Sequence, residues 1–151
     1  MKKLISFVLV LVLALSVAPV FAANTEIFID GKKAEIASDL GEIVEKDSRT
    51  FVPVRFLLEY LGFNVEWIES DQSVLGRNAK GESFVMQVGN KNLFYFGADG
   101  LQKEFPPMDV APFLNYAEGR TYVPLRFIAE AMGYKVGWDG ATQTVTLVSE
   151  K

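Results

Sequence analysis

The sequence predicts an α+β fold: a duplicated unit of antiparallel strands with one short helix each, the two copies sharing one core. Three observations lead there. A block of nineteen residues occurs twice, Arg49 to Trp67 (RTFVPVRFLLEYLGFNVEW) and Arg120 to Trp138 (RTYVPLRFIAEAMGYKVGW), offset by 71 residues with ten of nineteen positions identical. Within each block the apolar period changes from 3.6 to 2. Outside the blocks lie short alternating runs separated by Gly-containing turns. The match extends to Gln72/Gln143 and Val74/Val145, and upstream Asp30-Gly31 corresponds to Asp99-Gly100 with a two-residue slip.

The elements follow in order. Ile27 to Ile29, the turn at Asp30-Gly31 and Ala34 to Ile36 read as a first hairpin. Arg49 opens a strand-like run into a helix whose first position is Pro53, where a missing N–H costs nothing. Val54, Leu57, Leu58 and Leu61 form its apolar stripe, and Gly62 ends it in a left-handed conformation. Phe63, Val65 and Trp67 then alternate with mostly polar neighbours as a half-buried strand, and a polar turn leads to a second strand from Ser73 to Arg77. Phe84 to Val88, the turn at Gly89-Asn90, Leu93 to Phe96 and the turn at Asp99-Gly100 form the next antiparallel pieces. The second copy repeats the pattern with Arg120, Pro124, the stripe Leu125, Ile128, Ala129 and Met132, then Gly133, the strand Tyr134 to Trp138 and the strand Thr144 to Val148. Only Glu104 to Gly119, containing Pro106, Pro107 and Pro112, fits no element; its Phe105, Met108, Phe113 and Leu114 either pack on the sheet or form an exposed patch.

The N-terminus has a different character. Lys2 and Lys3 precede an apolar run from Leu4 to Ala18, followed by Pro19-Val20-Phe21-Ala22, the three-part pattern of a cleaved export signal. Residues 1–22 are therefore expected to be a signal peptide removed after Ala22, with Ala23 as the neighbouring option. The run is shorter than the ~20 residues a membrane helix needs. The expected organisation is a leader followed by one domain over 23–151, made of repeats at about 26–78 and 83–148. Neither half is large enough to stand alone. The expected location is extracytoplasmic, secreted or in the cell envelope, with no membrane attachment after cleavage.

Composition narrows the function. With no His and no Cys in 151 residues, metal sites built on imidazole or thiolate, His-dependent triads and disulfides are excluded. Removing the leader leaves 13 basic against 19 acidic residues, a formal charge of −6, which argues against nucleic acid as a partner.

The doubled R-T-hydrophobic-V-P-hydrophobic-R-F-x-x-E-x-hydrophobic-G-hydrophobic-x-V-x-W pattern, each copy preceded by an Asp-Gly turn and followed by a Thr/Val-rich strand, resembles the copper amine oxidase N-terminal domain-like, or stalk, family from about Ile27 to Val148. The resemblance implies an exported or cell-surface accessory module and not amine oxidation. In the oxidases copper is held by histidines of a separate catalytic domain, and this chain has none. A quinone made from Tyr in an Asn-Tyr-acid context is absent, because Asn115-Tyr116 is followed by Ala117. The copies differ at Ser48, where the second has Gly119, and at Gly41, where the second has Pro112, so the loop entering the first helix is expected to differ in shape.

No catalytic, cofactor or metal residues are assigned. Arg55 with Glu59 and Arg126 with Glu130 are i, i+4 pairs, read as surface ion pairs rather than a ligand grip. Arg49 and Arg120 are expected to fix loops through backbone carbonyls. Trp67 and Trp138 invite a sugar-stacking role, but their register with Val65 and Val136 places them in the core. Tyr60, Tyr95, Tyr116 and Tyr122 are the candidates for an exposed binding platform. Glu66, Glu69, Asp71 and Asp139 lack a calcium loop and a defined carboxylate separation. The expected function is a non-catalytic envelope module that binds cell-wall polysaccharide or another exported protein. The alternatives are a self-associating structural module, hence a homo-oligomer, and a carboxylate-based glycan hydrolase.

Overall fold

A computed structural model describes residues 24–150; the leader read from the sequence lies outside the described residues. The described residues form mostly β-sheet with two short helices, an α+β fold. Its centre is a four-stranded sheet in which β4 (Arg49–Pro53) and β11 (Arg120–Pro124) pair antiparallel, flanked by β3 (Val44–Lys46) and β10 (Phe113–Asn115). Val52 lies opposite Val123, Phe51 opposite Pro124 and Pro53 opposite Tyr122. Under the 71-residue offset this register maps onto itself. Both valines are fully buried.

Each of these strands runs straight into a helix, α1 (Val54–Tyr60) after β4 and α2 (Leu125–Ala131) after β11. Pro53 and Pro124 are the last strand residues rather than the first helical ones. Their φ of −56° and −67° suits either state, but ψ of 128° and 113° is extended. A proline at a strand's end gives up one ladder hydrogen bond and leaves the helix behind it intact. The apolar stripes are buried at Val54, Leu57 and Leu58 and at Leu125, Ile128 and Ala129, with Leu61 and Met132 at the rim. Helix α1 packs on β11 and α2 on β4, so each helix touches the strand of the other repeat. Gly62 and Gly133 stop the helices at φ of 87° and 86°.

Two further sheets grow from the hairpins that follow. One has the order β5 (Phe63–Ile68), β6 (Ser73–Asn78), β7 (Ser83–Gln87), β8 (Leu93–Phe96), β9 (Gln102–Lys103), all antiparallel. The other has the order β12 (Tyr134–Asp139), β13 (Thr144–Ser149), β1 (Glu26–Ile29), β2 (Lys32–Ala34). Here β1 and β13 run parallel, with Ile27 beside Val145 and Ile29 beside Leu147. The N-terminal hairpin thus completes the sheet of the C-terminal repeat, while β8 and β9 complete that of the first. Inward residues of both sheets, among them Ile27, Ile29, Val74, Phe84, Met86, Val145 and Leu147, join the helix stripes in one apolar cluster. Burying side chains of this size stabilises by roughly 1.5–3 kcal/mol each.

The Pro-rich stretch is strapped to the β7–β8 hairpin. The Met108 N–H donates to Lys91 O at 2.7 Å and the Gly89 N–H to Pro112 O at 2.9 Å. Met108 is buried, Phe105 meets Tyr95 edge to face at 6.0 Å, and Phe113 sits between Phe51 (5.1 Å) and Tyr122 (5.3 Å). This stretch packs on the sheets and its apolar members form no exposed patch.

Two backbone positions carry opposite expectations. On β6, Gly76 faces Phe84 across the ladder, and a Cβ there would lie 2.0 Å from the phenylalanine ring. Gly76→Ala should destabilise the protein by about 1–3 kcal/mol in denaturant unfolding. Ser48 makes the β3–β4 turn at φ of 57°, where the second repeat has Gly119 at 65°. Ser48→Gly should raise stability by about 0.5–1 kcal/mol in the same measurement.

Candidate functional site

The four tyrosines do not form a platform. Tyr116 is 77% exposed, in the turn after β10, and Tyr60 is 45% exposed at the end of α1. Tyr95 and Tyr122 are buried, at 4% and 0% exposure, and correct the sequence-based expectation. Tyr95 points inward from β8, where alternation puts it in the core beside Leu93. The Tyr122 ring stacks on Phe113, and its hydroxyl donates to Glu118 at 2.8 Å. Burial and the Glu82 carboxylate push the Tyr95 phenol up to about 12, while burial and Glu118 raise that of Tyr122.

Trp138 is the larger correction, whereas Trp67 packs, partly buried, against the core. Trp138 is 48% exposed and Trp67 only half-buried. Their strands, β5 and β12, are the outermost of their sheets, so the apolar side of each loses its cover towards the far end. There each ring lines a groove, and the two grooves correspond under the 71-residue offset. The first, about 500 Å³, combines Pro53, Val54, Arg55, Val65, Trp67 and Val74 with Gly119, Arg120 and Thr121. The second, about 640 Å³, combines Pro124, Leu125, Arg126, Val136, Trp138 and Val145 with Ser48, Arg49 and Thr50. Each groove therefore takes its Arg-Thr wall from the opposite repeat, a consequence of the β4–β11 pairing.

The arginines do what their spacing predicted and also shape these walls. Arg55 lies 3.7 Å from Glu59 and Arg126 3.6 Å from Glu130, with both partners about half exposed in each pair. Such pairs contribute ~0.3–0.5 kcal/mol each. Arg126 also donates to Val136 O at 3.3 Å. Arg120 donates to Asp39 O at 2.7 Å and Arg49 to Ser48 O at 3.0 Å. Arg49 further holds Asp109 of the Pro-rich stretch, and this hydrogen bond keeps the Asp109 carboxyl below its ordinary range.

The polar ends of the two indoles differ. The Trp67 N–H donates to the Glu69 carboxylate. The corresponding position in the second repeat is Gly140, and the Trp138 N–H has no hydrogen-bond partner among the described residues. The remaining acids serve turns: Asp71 accepts from Ser73 Oγ at 2.7 Å and Asp139 from the Ala141 N–H at 2.9 Å, while Glu66 is exposed on β5. Among the described residues no three acidic side chains are placed to hold a metal ion, and no helix is long and apolar enough to cross a membrane.

Residues 28–147, which include the lining of both grooves, match the family described as copper amine oxidase N-terminal domain. The chain belongs to that family. Its domain is a non-catalytic accessory domain. No curated protein and no solved structure matches the chain.

Asp109, Pro106, Pro107, Phe127 and Glu45, which also line the second groove, were not legible as site residues. The Glu69/Gly140 difference was available from the self-alignment alone.

The buried phenols predict an alkaline limit. Tyr95, Tyr122 and Tyr134 are all held above the ordinary tyrosine value, chiefly by burial. The unfolded chain releases these protons first, so stability is fully present below about pH 10 and falls as pH rises towards 12. Unfolding measured from pH 9 to 12 should show this decline, with a shallower slope in Tyr95→Phe.

Proposed function

We propose that the chain is a secreted, non-catalytic accessory module of the cell envelope that holds cell-wall polysaccharide in the groove at Trp138. The observation that carries this reading is a half-exposed indole, its N–H open, set in a 640 Å³ groove between Arg126, Glu130 and the Arg49–Asp109 pair. An indole face takes the C–H side of a pyranose ring, while guanidinium and carboxylate groups donate to and accept from its hydroxyls. The leader pattern and the family's accessory character support export and the absence of chemistry of its own. We also read residues 26–78 and 83–148 as copies of one unit folded into a single domain; the 71-residue offset and the self-mapping register of β4 with β11 support this.

Mature protein should co-sediment with purified, insoluble peptidoglycan. Trp138→Ala should weaken retention by roughly tenfold, the loss of about 1.4 kcal/mol, with an unchanged melting temperature because the ring lies outside the core. Wild-type protein remaining in the supernatant would overturn the proposal.

A further inference from the structure

We infer that the groove at Trp67 is a second subsite for the same neutral pyranose chemistry, held in a weaker state by Glu69. This rests on the glycan reading of the Trp138 groove and extends it to a site built by the other half of the chain. Its side chains correspond to those of the open groove: Trp67 to Trp138, Arg55 to Arg126, Arg120 to Arg49, and Thr121 to Thr50. Beyond the residues that the Pro-rich stretch and Glu130 add to the second groove, two differences bear on the indole. The first groove is smaller, 500 against 640 Å³, and its indole N–H is already engaged by a carboxylate that itself lines the groove.

Glu69 acts here as an internal competitor. A ligand hydroxyl that seeks the Trp67 N–H must displace a charge-assisted acceptor, whereas at Trp138 the same hydroxyl meets an open donor. Charge favours a neutral ligand in both places. The expected mature chain carries −6, and the groove guanidiniums of Arg49, Arg55 and Arg126 already face carboxylates, so an anionic polymer gains little from them. A polymer of repeating rings can engage both subsites, from one strand or from two, and the weaker subsite then gains from the effective concentration set by the stronger.

The chain has two tryptophans, one in each groove, which makes the subsites separately observable. Trp67→Phe leaves Trp138 as reporter and Trp138→Phe leaves Trp67, with an aromatic ring retained in each case. The probe is a soluble β-1,4-linked N-acetylglucosamine tetramer, titrated against indole emission. Trp138 should respond saturably, and Trp67 should respond at about tenfold higher concentration. Adding Glu69→Gly should bring the Trp67 response to within about threefold of that of Trp138, and Gly140→Glu should weaken the Trp138 response by about tenfold. Both positions are exposed turn residues, and a Cβ on Gly140 would make ordinary contact, 3.4 Å from Trp138 Nε1. Calorimetry on the chain with both tryptophans provides an independent reading: Glu69→Gly alone should raise the stoichiometry from one towards two.

A responsive Trp138 with Trp67 silent even after Glu69→Gly overturns the second subsite and leaves the glycan reading standing. Equal affinity at Trp67 with and without Glu69 overturns the competitor role, and with it this inference. Silence of both indoles overturns both readings.

Discussion

The pairing of β4 with β11 is the constraint on which the rest of the molecule depends. Val52 and Val123 face each other at the centre of the ladder, and that single register fixes where both helices start, which strand each helix covers and which arginine lines which tryptophan's groove. A slip of one residue in either strand would turn its valine out of the core and bring its Phe51 or Tyr122 to that face. Phe113, on the opposite face, meets Phe51 edge to face and stacks on Tyr122 with Lys46 over it at 4.2 Å; this gives the outer side a packing of its own and makes the slipped register costly on both faces.

Much of this was legible because it is local. The helix stripes, the left-handed Gly62 and Gly133 and the strands after them follow from side-chain period and backbone freedom within about thirty residues, and the structure places them within a residue or two. The exposure of Trp138 escaped the sequence for a nonlocal reason. Alternation shows which side of a strand a residue occupies, but not whether another element covers that side, and β5 and β12 turned out to be outermost strands. Tyr95 and Tyr122 were misread in the opposite direction, because a hydroxyl invites an exposed assignment while the covering groups, Phe105 and Phe113, come from the Pro-rich stretch that fitted no element. The parallel match of β1 with β13 left no local trace in the sequence.

The two grooves show how a repeated framework diverges at little cost to stability. Positions 69 and 140 lie in exposed turns outside the core, so exchanging a glutamate for a glycine there changes the polar surroundings of an indole without disturbing packing. Buried positions do not have that freedom. The counterpart of Gly76 is Leu147, and that exchange is accommodated because Phe84, from the strand β7 that has no equivalent between β13 and β1, fills the space above the glycine.

The chain's first strand finds its partner in its last. Ile27 and Ile29 pair on one edge with the neighbouring β2, but their other edge waits for Val145 and Leu147. The sheet β12-β13-β1-β2 is therefore closed by a contact between residues far apart in the sequence, the kind that forms slowly. Until that contact forms, β1 and β2 are an isolated two-stranded hairpin, marginal in water by itself, so the N-terminal strands depend on β13 for their place.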